Sequence, residues 1–343
     1  MRILIVGASG SSHIGGSLLR AAERLGLERR FCDINEAWRH GTLVQKLLWH
    51  FGERRPARLG TFGRKVLGLC TQFRPDLLLA TGTAPLSAAI LQQCQRLGVR
   101  CANFSTDDPF SRVHHVGWFL HALRHYNVVF SPRRANSEEL KAHGCPRVEY
   151  LPFGYDSNLF HPLADPAMPG MESDLFFAGT GDRGRVPFIA AALQAGLQVR
   201  LHGIDWGRYA ETKGVSRGQA DIPTMRQTIY GCRVALCLVR HENRDGHSMR
   251  SFEVPAVGAC MVVEETPEHR EIFGPDGKAV RYFRTPQEMV ETTSWLLHQI
   301  PERKRLREKS HQHIVRGRNT YADRLSFMVE YAAHLPLADQ APV

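Results

Sequence analysis

No apolar stretch in this sequence approaches the roughly 18 residues that a membrane-spanning helix requires. The first apolar run is also too short for a secretory leader and passes straight into glycines, so a cytoplasmic protein is expected. None of the eight cysteines forms a CxxC pair, and no His/Cys cluster has metal-ligand spacing. A disulfide scaffold and a zinc site are thereby set aside, and the thiols are expected as reduced core residues. Acid is also scarce: 34 Asp and Glu stand against 44 Lys and Arg, a formal net charge of +10. That imbalance points to an anionic partner, and charge alone leaves nucleic acid, an anionic membrane surface and a phosphorylated small molecule open. The basic residues are dispersed except in "PERKRLREKSHQHIVRGR" (301–318), which reads as the polar face of a late helix.

At 343 residues the chain suits two domains, each large enough for its own core. Short apolar strands are expected at 2–6, 29–33, 76–80, 100–105, 128–131 and 148–151, with amphipathic helices between them. Such alternation means a parallel sheet covered on both faces. The stretch "HPLADPAMPGMES" (161–173) carries Pro162, Pro166, Pro169 and Gly170 and reads as a linker. After it the alternation restarts with "DLFFAGTG", "QVRLHG", "VALCLV", "CMVVEE" and "KAVRYF". The expected fold is α/β, with two Rossmann-like doubly wound domains facing across a cleft. The expected boundaries are 1–160 and 173–315, with 161–172 as linker and 316–343 as a C-terminal helix packing back on the first domain. Ligands of open α/β sheets bind beyond the carboxyl ends of the strands, so the strand-to-helix loops carry the information.

Two of those loops attract notice. The opening "MRILIVGASGSSHIGG" places Gly7, Gly10, Gly15 and Gly16 between a strand and a helix, and Asp33 ends the second strand. That pattern suits a dinucleotide-dependent oxidoreductase. Against it, His13 stands at the third fingerprint position, no Tyr-x-x-x-Lys pair follows, and a second α/β domain would have no role. The stretch "ENRDGHSMRSFEVPAVGACMVVEE" (242–265) follows a strand directly. Ser248 is a plausible N-cap and Gly258 a plausible C-cap of its helix. The helix start offers unpaired N–H groups to a diphosphate, Arg250 adds a guanidinium, and Glu253 can accept both hydroxyls of a ribose. Pro255 is a cost inside that helix.

The segment "DGHSMRSFEVPAVGACMVVEETPEHREIF" (245–273) resembles the C-terminal signature of the CgeB-like glycosyltransferases, within the wider retaining family-4-like group of GT-B fold. That group carries an acid, seven intervening residues and a Glu, here Asp245 and Glu253. The resemblance implies that Glu253 holds the nucleotide ribose and that Asp245, with Gly246, His247 and Ser248 beside it, lies near the donor. It also accounts for Pro255. Upstream, "RRANSEELKAHGCPRVEYLPFGYDSNLFHP" (133–162) looks like the family's crossover between domains. "SDLFFAGTGDRGRVPFI" (173–189) looks like its first donor-domain strand and loop, where Gly179, Thr180 and Gly181 let a ligand approach and Arg183 and Arg185 neutralise a diphosphate. "NFSTDDPF" (103–110) is similar to the family's D-D-P segment; Asp107 would orient an acceptor hydroxyl, act as a base, or cap the next helix.

The function implied is transfer of a sugar from a nucleoside diphosphate sugar to a hydroxyl of a glycan, protein or small molecule. Catalytic candidates are Asp107, Asp245 and His247, with His13 a further cleft candidate. Gly15 and Gly16 would approach the donor phosphates or the acceptor. No metal or other cofactor is expected, because Arg, Lys and helix N-termini can neutralise the departing diphosphate. Nucleic acid is not an expected partner, and the basic surface leaves peripheral contact with the inner membrane face open. Besides the oxidoreductase, the rivals are a nucleotide-sugar epimerase of the same architecture and a non-catalytic sugar- or phosphate-binding protein.

Overall fold

Runs such as "ILIV" and "LLLA" are apolar on both sides of the pleat, and only a parallel sheet with helices on each face buries them completely. A computed structural model describes residues 1–10, 13–38, 54–112, 114–165 and 167–336. Its chain divides into two compact units, Met1–Pro152 with Tyr321–Val343, and Phe153–Thr320.

The first unit strings together β1 (Arg2–Gly7), α1 (Ile14–Arg24), β2 (Glu28–Asp33), α2 (Leu59–Phe73), β3 (Leu77–Thr81) and α3 (Ala88–Arg96). It continues with β4 (Arg100–Phe104), α4 (Gly117–Leu123), β5 (Val128–Ser131), α5 (Ser137–Ala142) and β6 (Val148–Tyr150). All six strands pair in parallel in the order β2-β1-β3-β4-β5-β6. Ile3, Leu4, Ile5 and Val6 in β1 and Leu77, Leu78 and Leu79 in β3 are fully buried.

The second unit runs β7 (Ser173–Ala178), α6 (Val186–Gln194), β8 (Val199–His202), α7 (Ile222–Gly231), β9 (Cys232–Cys237) and α8 (Arg250–Val257). Then follow β10 (Met261–Glu264), α9 (Pro267–Phe273), β11 (Arg281–Phe283), α10 (Pro286–His298) and α11 (Ile300–Arg316). Its five strands are again parallel, in the order β11-β10-β9-β7-β8. Side-chain caps start several helices: Thr266 accepts from the His269 amide, Thr285 from Glu288 and Asp221 from Thr224. All eight cysteines are buried. The α/β reading with two doubly wound domains is borne out.

The division between units falls elsewhere than the proline pattern suggested. The chain enters the second unit at Phe153, not after 160, and leaves it at Thr320, not at 315. Contacts explain both shifts. The Phe153 amide bonds to His247, Tyr155 bridges to Thr320, and Gly154 lies so close to the Asn319 carbonyl that a Cβ would sit 2.7 Å from it. The stretch expected as a linker lies inside the second unit: Arg200 donates to the Gly170 carbonyl, and Met171 packs against Gly231. Pro166 lies outside the described residues. The final helix α12 (Tyr321–Ala333) belongs to the first unit, packing on α1, with Arg324 donating to the Pro152 carbonyl and the Tyr331 hydroxyl to Glu149. Residues 337–343 of the expected C-terminal segment lie outside the described residues.

Candidate functional site

In the second sheet, β7 connects to β8 on one side and the chain then crosses to β9 on the other. Strand order therefore reverses between β7 and β9, the position where open α/β sheets bind ligands at their carboxyl ends. The loops leaving those two strands are 179–185 and 238–249.

Loop 179–185 is shaped by close backbone packing. The Gly179 carbonyl accepts from Trp206 Nε1 (2.9 Å), and the Gly181 amide donates to the Ile204 carbonyl (2.8 Å). A Cβ on Gly181 would lie 2.9 Å from the Trp206 amide nitrogen, so glycine is required there for fit rather than for a ligand. Asp182 Oδ1 accepts the Gly184 and Arg185 amides, closing the turn into α6. Arg185, expected only as a diphosphate partner, is buried. Its Nε donates to the Val239 carbonyl, one terminal nitrogen to the Thr180 carbonyl (both 3.2 Å), and it pairs with Asp182 at 3.5 Å. It ties the two switch-point loops together. Burial lowers its pKa, Asp182 and Asp245 oppose that, and Arg240 reinforces it. Arg185, Arg240 and Asp245 thus share one electrostatic neighbourhood. Arg183 is exposed, and Thr180 is half-buried.

Arg240 was missed by sequence reasoning. Its only signal was position, at the carboxyl end of a strand that precedes the most informative loop. His241 follows it, 2.6 Å from the buried carboxylate of Glu264, whose other oxygen accepts the Val239 amide.

In the second loop, Asn243 donates to Asp245 (3.1 Å), leaving Asp245 half-buried. Gly246 is wedged against Glu268, whose carboxyl carbon would stand 2.1 Å from a Cβ, and its carbonyl accepts from Thr266 Oγ1. His247 departs from expectation. Its ring is 1% exposed, Nε2 accepts the Phe153 amide (3.1 Å), and the rings of Phe153 and Phe252 meet it edge-on at 5.5 and 5.7 Å. A ring so enclosed holds the loop in place. Ser248 is not the N-cap either: Met249 precedes the helix, and the Ser248 amide donates to Ser251 Oγ instead. Gly258 does end the helix, at φ 93°, in the left-handed region that favours glycine. Arg250 and Glu253, one turn apart, are ion-paired, with Glu253 buried.

Beneath α8 lies a polar knot. Ser251 Oγ sits 2.9 Å from His269 Nε2 and 3.4 Å from Cys237 Sγ, and His269 Nδ1 donates to the Glu264 carbonyl (2.7 Å). With Nδ1 protonated, Nε2 accepts the Ser251 hydroxyl, so every ring nitrogen is used. Burial pushes the His269 pKa down to about 4. The unfolded chain binds a proton near the ordinary value of about 6.5, so the fold is fully stabilised above that pH and loses stability as pH falls toward 4. The loss expected from this group is about 3 kcal/mol, read as a falling urea midpoint between about pH 6.5 and 4 that His269→Gln flattens.

The first unit reverses its strand order between β1 and β3. Gly15 and Gly16 open α1, but both are buried. A Cβ would lie 2.7 Å from the Ala8 carbonyl at Gly15 and 2.7 Å from the Gly10 carbonyl at Gly16. Their lack of side chains lets the loop fold onto its own helix. Ser11 and Ser12 lie outside the described residues. Asp33, the acid an NAD(P) site would direct at a ribose, accepts Ser9 Oγ (2.7 Å) and the Asn35 amide (3.0 Å). Of the adjacent acids, Asp108 is buried and accepts the Phe110 amide and Asn136 Nδ2, which makes it the turn-former. Asp107 has a side chain 41% exposed, 3.9 Å from His114 Nε2.

Residues 185–330 match a protein-family model described as "Glycosyl transferase-like". No curated protein matches the sequence significantly. Solved structures share the fold across nearly the whole chain. Sucrose-phosphate synthase of Thermosynechococcus elongatus superposes with a TM-score of 0.69 at 12% identity, covering 97% of this chain and 98% of that one. Anabaena HepE, solved with UDP-glucose, gives 0.63 at 13% identity over 96% and 100%. A Listeria monocytogenes protein assigned as a UDP-N-acetylglucosamine 2-epimerase gives 0.57 at 12% identity over 100% and 99%. At such identities the likeness establishes the fold alone, and that fold is shared by a synthase and by a protein assigned as an epimerase. Fold and family match together make this chain a glycosyltransferase of GT-B architecture.

Proposed function

We propose that the second unit binds a nucleoside diphosphate sugar and that the sugar passes to an acceptor hydroxyl, as in the CgeB-like branch. The observation that carries this reading is that Arg185 reaches from loop 179–185 to the Val239 carbonyl at the switch point, beside Arg240, whose carbonyl accepts the Asp245 amide, with Glu253 in the first turn of the helix that follows. Cations and backbone N–H groups there suit a diphosphate whose charge grows as it departs. The acceptor oxygen forms a bond to the anomeric carbon, and the bond from that carbon to the phosphate oxygen breaks. The electron pair leaves with the nucleoside diphosphate, and the hydroxyl proton is lost to a base. Asp245 is the acid this reading sets beside the donor sugar. Glu253 receives the ribose hydroxyls once Arg250 turns from it toward phosphate. This chemistry asks for no metal. The HepE and sucrose-phosphate synthase likenesses support the fold this reading needs.

The test is a thermal-shift panel of UDP, GDP, dTDP, ADP and CMP with their sugars, followed by product analysis with a labelled donor. One nucleotide should stabilise the protein, and the label should move to an acceptor. A labelled donor that returns as an epimerised sugar or free nucleotide with no acceptor product would favour the epimerase instead. Arg185→Lys keeps the charge but loses the planar fork, and should weaken nucleoside diphosphate binding about tenfold. Unchanged affinity in that variant would remove Arg185 from the site.

A further inference from the structure

The basic helix α11 spends its cations in two ways. Arg303 donates to the carbonyls of Leu296 and Leu297, both at 2.9 Å. Arg305 pairs with Glu302 at 2.7 Å and donates to the Gly277 carbonyl, and Arg307 lies over the Tyr230 ring at 4.7 Å. These three hold the helix to its own unit. Lys309 and Arg316 do nothing of the kind. With Lys278 from the loop before β11, they line a groove of about 390 Å³ together with Gln312 and His313. Among the described residues none of these three cations takes part in an ion pair, and no acidic side chain lines the groove.

The groove is held in shape. Gly274, at φ 78°, leaves room for the Lys278 stem, whose Cδ would sit 3.0 Å from a Cβ there. His313 is anchored by donating from Nε2 to the Ile272 carbonyl, and Arg305 pins the same loop at Gly277. The C-terminal end of α11 contributes a partial negative charge of about one half, which favours the cations and opposes an anion. Three full positive charges outweigh it. None of the lining residues belongs to loops 179–185 or 238–249, so the groove is separate from the candidate donor site.

We propose that this groove is a second anion site, one that takes a phosphate group presented by a soluble phosphorylated molecule or by an anionic lipid headgroup. Lysine chemistry gives a readout confined to it. Trace acetylation of the whole protein, followed by mass spectrometry, should show Lys278 and Lys309 labelled about threefold more slowly in about 20 mM inorganic phosphate than in chloride of equal ionic strength. Lys213 and Lys304, both exposed and outside the groove, should be unaffected. Arg316→Ala, a change at an exposed position, should abolish the protection. A parallel arm replaces phosphate with phosphatidylcholine vesicles, with and without phosphatidylglycerol. Protection by the anionic vesicles identifies the headgroup as the source, and protection by phosphate alone identifies a soluble ligand. Equal slowing at all four lysines, or none at Lys278 and Lys309 in either arm, overturns the site. Donor binding plays no part in the readout, so the proposed transferase reading stands or falls separately.

Discussion

Glu253→Gln is expected to lower kcat/KM for the nucleotide sugar by about 100-fold while leaving the melting temperature within about 3 °C. The carboxylate is buried in the first turn of α8, and glutamine has the same shape. What glutamine lacks is the charge that makes two parallel hydrogen bonds to ribose hydroxyls strong. Bonds to a charged acceptor contribute about 1.5–3 kcal/mol, and losing the charge from a paired set gives about two powers of ten. Stability changes little, because the Arg250 side chain is 26% exposed and can reach water. Steady-state kinetics with the donor identified by the nucleotide panel decides the matter. A kcat/KM within threefold of the parent would mean that Glu253 is only the tether of Arg250.

The second large effect is structural and reaches the same site. Gly203 follows β8 at φ 132°, and a Cβ on it would stand 1.8 Å from the Gly179 carbonyl oxygen. That carbonyl is already held by Trp206 Nε1, and Gly203 itself donates to the Gly218 carbonyl. Neither backbone can yield without moving loop 179–185. Gly203→Ala combines backbone strain of about 1–3 kcal/mol with overpacking of about 1–3 kcal/mol, so a loss of about 4 kcal/mol is expected. Nucleoside diphosphate binding should fall with it. Gly196→Ala is the matched control, because φ is also positive there (75°) but nothing lies within 4 Å of the added carbon. Its cost should stay near 1 kcal/mol, the ordinary penalty for a non-glycine residue in the left-handed region. Equal urea midpoints for the two variants would show that loop 179–185 is not pinned by Gly203.

Sequence alone determined the architecture. Strands buried on both faces write their hydrophobicity into every position, which is why β1, β3 and β5 fall within a residue of where "ILIV", "LLLA" and "VVFS" place them. The glycine ending α8 was legible for a related reason, since it belongs to a short local segment. Tertiary structure decided the rest. His247 reads as a catalytic candidate, and only the fold shows that Phe153, 94 residues away in sequence, donates to its Nε2. Gly15 and Gly16 read as a ligand cradle, and only the fold shows that the loop before them fills the space a side chain would need. Asp33 reads as a ribose acid until Ser9 and its own turn occupy it. Arg240 gains meaning only when β7 and β9 become neighbours. In each case the deciding partner is remote in sequence or is backbone, and neither leaves a mark on local composition.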